Sequence, residues 1–118
     1  MQNEFDKTCV PNGIVLKDTR FGYTLSVIGG KYKMIILYWL SENDIMRFNA
    51  LQRNIASISF KTLSIMLKEM EADGIVMRKE YSQIPPKVEY SLTELGRSLL
   101  LILNMMCDWG EMNQKVKP

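Results

Sequence analysis

The chain has 118 residues, a formal net charge of +2, two cysteines and no histidine. This length predicts one domain that buries roughly two thirds of its unfolded surface without disulfide bonds. The absence of histidine and the distance between Cys9 and Cys107 exclude a Cys/His zinc site. A charge this small does not indicate a polyanionic partner, so any case for nucleic acid depends on where the charges lie.

The N-terminal segment MQNEFDKTCVPNG is polar and charged, unlike a secretory signal. The longest apolar run, residues 34–40, is too short to span a bilayer. We therefore expect a soluble cytoplasmic protein with reduced thiols, with no metal, no cofactor and no membrane contact.

Residues 1–18 mix Pro11, Gly13 and alternating charges without a helical period, which predicts a flexible or extended arm. Residues 19–118 are predicted to form a single domain. RFGYTLSVIG, residues 20–29, predicts a short helix ending at the Gly29–Gly30 pair. KYKMIILYWLSE, residues 31–42, predicts a second helix that is apolar nearly all round, and therefore the central helix of the core.

A helix-turn-helix is predicted next. After a turn with room for a very short strand, FNALQRNI places Phe48, Leu51 and Ile55 on one helical face. The three residues 56–58 then form a turn of the length found between the helices of this motif. Ser59 is a suitable N-cap, with Ile58 packing on Leu63 as a hydrophobic staple.

The second helix of the motif, residues 59–73, is amphipathic and ends at Gly74. Its predicted core face consists of Phe60, Leu63, Met66, Leu67 and Met70, and its outer face of Lys61, Ser64, Ile65 and Lys68.

Two strands follow, IVMRKEY and VEYSL, joined by the loop SQIPPK. Val88, Tyr90 and Leu92 alternate with polar residues, which predicts an antiparallel hairpin with a stiff, projecting tip at Pro85–Pro86. Thr93 can then cap one long helix, about residues 93–113, whose apolar surface is broader than a single domain buries. The predicted fold class is mainly α with a small β-hairpin (α+β): a winged helix-turn-helix.

In such a fold the second helix of the motif enters the major groove of DNA. Its polar residues fit this role, because Ser59, Lys61, Thr62 and Ser64 occupy the first half while Glu69, Glu71 and Asp73 occupy the end. That order opposes the helix dipole, a penalty of about 0.3–1 kcal/mol per charge that several phosphate contacts can outweigh. A solvated surface helix fits the same pattern and remains an alternative. The candidate DNA-binding residues are Ser57, Ser59, Lys61, Thr62, Ser64, Ile65, Lys68, Lys31, Arg78, Lys79 and Lys87.

The chain resembles the HxlR-type transcriptional regulators, which are related to the MarR group. The resemblance lies in YTLSVIGGKYKMIIL (23–37), RFNALQRNI (47–55), SISFKTLSIMLKEMEADGIVMRKEY (57–81) and IPPKVEYSLTELGRSLL (84–100). It implies a sequence-specific regulator, favoured here as a repressor, that binds a palindromic operator as a homodimer through its first and last helices. The candidate interface residues are Leu99, Ile102, Leu103, Met106 and Trp109. The alternative is a winged helix that docks another protein and reads no DNA.

The chain departs from this family at two places. Members usually carry Trp where Tyr32 stands, which keeps an aromatic ring. Many have a thiol-sensing cysteine before the first helix, at the position of Thr19, whereas Cys9 lies ten residues earlier and can act as a redox sensor only if the arm folds back. Cys107 is expected to be a core or interface residue.

No nucleophile elbow or histidine base is present, so we expect no enzyme.

Overall fold

The computed structural model describes Gly13 and residues 15–115 of the chain. Most of the predicted arm, including Cys9, lies outside the described residues; Leu16–Asp18 form one 3-10 turn. The elements that follow are α1 (Arg20–Ile28), α2 (Lys33–Glu42), α3 (Phe48–Asn54), α4 (Phe60–Ala72), β1 (Val76–Tyr81), β2 (Lys87–Leu92), α5 (Glu94–Ser98) and α6 (Leu100–Asn113).

Helix α2 is the centre of the core, as predicted. Ile36, Leu37 and Leu40 have no exposed surface. The core cluster around them draws buried residues from every other helix except α5 and α6, and α6 adds only partly buried side chains. The helix begins at Lys33, two residues later than predicted, because Gly30 at φ 102° and the turn that follows redirect the chain after α1. Gly30 supplies a backbone conformation that side chains with a Cβ rarely adopt.

Both predicted ends of α4 are confirmed. The Ser59 hydroxyl oxygen accepts a hydrogen bond from the Thr62 amide at 3.0 Å, which makes Ser59 the N-cap. At the other end Gly74 has φ 77°, and the amides of Gly74 and Ile75 donate to the carbonyls of Glu71 and Met70 at 3.0 and 2.9 Å. This pair of bonds is a Schellman motif, which satisfies carbonyls that the helix leaves without partners.

The hairpin has the predicted antiparallel register, with Arg78 opposite Tyr90 and Tyr81 opposite Lys87. Met46 adds a short bridge, exchanging backbone hydrogen bonds of 2.9 and 2.8 Å with Tyr90, which confirms the predicted very short strand before α3. Because side chains alternate along a strand, one face of the hairpin carries Val76, Tyr90 and Leu92 into the core. The other face points away from it.

The prediction of a single long helix after Thr93 is wrong, because the structure has two helices there, α5 and α6, which meet at Leu99. The Thr93 hydroxyl caps α5 as predicted, accepting from the Gly96 amide at 3.0 Å. A Cβ at Gly96 would collide with the Ile75 carbonyl oxygen, so α5 packs there directly against the backbone of the residue before β1. Leu99 bonds back to Gly96 across three residues rather than four, and this tighter turn interrupts the α-helix.

The order of helices, turn and hairpin is a winged helix-turn-helix, the fold that the sequence predicted. Within the described residues, no helix is both long enough and apolar enough to cross a membrane.

Candidate nucleic-acid interface

Helix α4 separates an apolar face from an outward polar face. Leu63, Leu67 and Met70 are buried with 2 % exposure or less, and they fix the rotation of the helix against the core. Lys61 and Lys68 are consequently exposed on the opposite side. Ser64 is half-buried beside them, and Ile65 is 43 % exposed. Among the described residues, neither lysine forms an ion pair.

Hydroxyl groups at the start of α4 differ in what they can offer a ligand. Ser59 accepts from the Thr62 amide and also donates its hydroxyl proton to Thr62 Oγ1 at 3.0 Å. Its proton is therefore used within the cap. Thr62 keeps its own hydroxyl proton and is the better donor to an external oxygen. Ser57, in the turn, is exposed with φ 66°, and this left-handed conformation shapes the entry to α4.

Phe60 does not belong to the core face, contrary to prediction. It is 66 % exposed, because the first residue of α4 lies beyond the end of the core. Its ring centroid lies 4.8 Å from that of Phe48 on α3. Both rings contribute to an open groove of about 370 Å³ between α4 and the hairpin, which is also lined by Ser64, Leu67, Lys68, Glu71, Arg78 and Tyr90.

Lys31 is exposed beside the turn of the helix-turn-helix. Its ammonium lies 5.3 Å from the centroid of the Tyr32 ring. The Tyr32 hydroxyl in turn donates to the Ser57 carbonyl at 3.4 Å. Tyr32 thus connects the residue next to Lys31 with the turn that leads into α4, and Lys31 stays a candidate for phosphate contact.

The hairpin of β1 and β2 is the wing of this fold, and its three candidate DNA-binding cations lie on two different faces. Arg78 shares the α4 side with Tyr90 and pairs with Glu80 at 3.2 Å. A hydrogen bond with the Tyr90 side chain, assisted by Glu80, raises the pKa of Arg78 above its ordinary value. The register places Lys79 and Lys87 on the other face, so Arg78 alone joins the cations of α4.

Lys79 and Lys87 flank one aromatic ring on that other face. Their ammonium groups lie 5.0 and 4.9 Å from the centroid of Tyr81. The Tyr81 hydroxyl donates to Glu89 at 2.7 Å, and Lys87 pairs with Glu89 at 3.3 Å. The hydrogen bond from Tyr81, followed by the contact with Lys87, lowers the pKa of the Glu89 carboxyl. Part of the positive charge of the wing is therefore balanced within the protein.

Two exposed arginines near the wing were not among the sequence candidates. Arg47 precedes α3 and Arg53 lies in its last turn, and both line a groove that runs between α3 and the tip residue Pro86. Arg53 lies on the side of α3 opposite Leu51, which is fully buried, whereas Arg47 is the extended N-cap residue that precedes the helix. The helical period that identified Leu51 as a core residue also predicts this outer face.

The last helix exposes a continuous apolar face. Ile102, Met106 and Trp109, predicted as interface residues, are exposed by 36 %, 47 % and 70 %. The predicted residues Leu99 and Leu103 instead pack partly buried against the domain's own core. The exposed face also contains, at helical spacing, three residues that were not among the candidate interface residues: Leu101, Met105 and Met112.

Cys107 was predicted to be a core or interface residue; its thiol is exposed in the single chain, so the core alternative is wrong and the interface alternative stays a prediction. Cys107 lies one turn beyond Leu103, on the side of α6 that contacts the core, but past the end of that contact.

The described residues contain no group of three or more His, Cys, Asp or Glu side chains that could hold a metal ion.

A family model described as HxlR-like helix-turn-helix matches residues 27–118. The chain belongs to this family. An HTH-type transcriptional regulator of Halalkalibacterium halodurans is 60 % identical to this HxlR-like chain over 99 residues, which cover 84 % of the chain and 88 % of the relative. The HxlR-like chain is therefore a helix-turn-helix transcriptional regulator and not an enzyme.

Solved structures agree with this assignment. The redox regulator HypR in its reduced form has a TM-score of 0.77 at 48 % identity, covering 82 % of this HxlR-like chain and 95 % of HypR. A transcriptional regulator of the MarR family from Enterococcus faecalis has a TM-score of 0.73 at 36 % identity, covering 79 % of this chain and 84 % of the other. The predicted relation to the MarR group is thus confirmed.

Proposed function

We propose that this regulator acts in the cytoplasm as a homodimeric repressor that binds a palindromic DNA operator. Helix α4 enters the major groove, where Lys61, Thr62 and Lys68 contact phosphates or bases and Ile65 meets a thymine methyl. Each protomer reads one half-site, and the two half-sites lie about one helical turn apart.

The observation that carries this proposal is the outward face of α4. Lys61 and Lys68 are exposed and form no ion pair among the described residues, whereas the acidic side chains lie at the far end of the helix. A helix selected only for stability would carry the opposite order, with acids at the N-terminus. Contacts with a polyanion explain why the lysines and hydroxyls come first.

Support for the homodimer comes from α6. Trp109 and Leu101 are each 70 % exposed, and Met112 is 85 % exposed, although apolar groups gain free energy when they leave water. Tyr23 and Leu25 of α1 add further exposed apolar surface. A second copy of the chain would cover such a face through a two-fold axis, and the same axis would repeat α4 along the duplex.

The function is tested with duplexes that the wild-type protein selects from a random pool. Affinity is then measured by fluorescence anisotropy as the salt concentration rises. A regulator that contacts phosphates loses affinity linearly on a logarithmic scale, whereas a winged helix that only docks proteins selects no duplex and shows no salt-dependent binding. The second result would refute the proposal.

A further inference from the structure

Lys33 is buried, which is unusual for a lysine. The residue is 8 % exposed, and burial of a charged ammonium is costly unless other groups replace its water. The described structure supplies two such groups. Lys33 Nζ donates to the Ser26 carbonyl at 3.1 Å and lies 3.9 Å from Glu69 Oε1.

These contacts connect three helices. Ser26 lies in the last turn of α1, where carbonyls have no intrahelical amide to accept from and where the helix dipole favours a cation. Lys33 begins α2, and Glu69 lies in the second half of α4. One side chain therefore joins the exposed first helix to the helix that carries the candidate DNA-binding face.

The residue next to Lys33 contacts the other end of α4. Tyr32 donates to the carbonyl of Ser57, which lies three residues before α4 begins. The polar contacts of two neighbouring residues thus hold α4 near both of its ends. Apolar packing of Leu63 and Leu67 is not directional, whereas the hydrogen bond from Lys33 to Ser26 constrains both distance and direction, and the ion pair with Glu69 adds Coulombic attraction at 3.9 Å.

We propose that Lys33 is a positioning residue for DNA binding: its link to Glu69 and Ser26 fixes the orientation of α4 relative to α1, and so sets the spacing between the two α4 helices of the dimer. This inference rests on the proposed function. Loss of the Glu69 charge leaves the Lys33 ammonium with one neutral partner, so the side chain turns toward water and α4 loses its attachment to α1.

The experiment compares Glu69→Gln with Glu71→Gln. Both substitutions remove one negative charge from the same end of α4, and Glu71 is exposed and forms no ion pair among the described residues. General electrostatics predicts that both variants bind DNA slightly more tightly than the wild type. The positioning role predicts that Glu69→Gln alone binds the selected duplex about three- to tenfold more weakly.

A second measurement distinguishes positioning from a merely structural role. Each variant is titrated with the selected duplex and with duplexes whose half-sites are one base pair closer or further apart. We expect Glu69→Gln to discriminate less between these spacings than the wild type, and Glu71→Gln to discriminate equally well. A loss of fold stability alone would lower the melting temperature without changing the preferred spacing.

Lys33→Met provides the reciprocal variant, and it should reproduce the loss of spacing discrimination. If it does not fold, Glu69→Gln decides, because that side chain is half-exposed. If Glu69→Gln binds the duplex with the same affinity as Glu71→Gln and keeps the wild-type spacing preference, the positioning role is overturned. The proposed function is then intact. A wild-type protein that selects no duplex would instead overturn the proposed function, and this inference with it.

Discussion

Lys61 offers the most direct probe of the outward face of α4. It is exposed at the N-terminal end of the helix and has no ion-pair partner among the described residues, so Lys61→Gln removes a charge without leaving an acid unpaired. A dimer carries two copies of the substitution. Each phosphate contact adds about 0.9 to the slope of log affinity against log salt, so the slope should become shallower by about 1.8.

This change is measurable by fluorescence anisotropy. Between 50 and 200 mM salt, a slope difference of about 1.8 means that the wild type loses roughly twelvefold more affinity than Lys61→Gln. Lys115→Gln is the matched control, since it removes one exposed lysine beyond the end of α6 and should leave the slope unchanged. A Lys61→Gln slope equal to that of the wild type would refute a contact between Lys61 and DNA phosphates.

Three further outcomes are expected. Trp109→Ser should shift sedimentation equilibrium toward monomer, because interface tryptophans often contribute about 2 kcal/mol or more to the free energy of association. The control Asp108→Asn should stay dimeric. A dimeric Trp109→Ser would contradict the α6 interface. Gly74→Ala should lower the free energy of unfolding in urea by about 1 kcal/mol, because alanine is strained at φ 77°, and an unchanged midpoint would argue against the Schellman motif. Tyr81→Phe removes the hydrogen bond that holds the pKa of Glu89 below its ordinary value of 4.5. A carboxyl with a lowered folded-state pKa stabilises the fold above its unfolded pKa, and this stability is lost as the pH falls through the folded-state value. The difference in unfolding free energy between wild type and Tyr81→Phe should therefore be present at neutral pH and disappear on acidification below 4.5; a difference independent of pH would contradict the link.

Features set by neighbouring residues could be predicted from the sequence. The cap at Ser59, the cap at Thr93 and the stop at Gly74 each depend on a side chain or glycine acting within a few residues of itself. The amphipathic period of α4 likewise identified Leu63 and Leu67 as core residues. Local hydrogen bonding and helical geometry are enough for such predictions.

Features set by distant contacts could not be predicted in the same way. Phe60 matches the apolar period of α4 but lies beyond the core, which only the packing of α3 and α4 decides. The contact between Lys33 and Glu69 joins residues 36 positions apart in the chain. The placement of Lys87 on the face opposite Arg78 depends on the register of the hairpin, which the length and path of its loop fix.

In the proposed complex, two α4 helices occupy successive major grooves on one side of a duplex. Methylation of guanine N7 by dimethyl sulfate tests it directly, because N7 is accessible only in the major groove. On a selected duplex, bound wild-type protein should protect guanines in two patches whose centres lie about 10 base pairs apart. Tight binding with a single protected patch, or with no protection of N7, would contradict this arrangement.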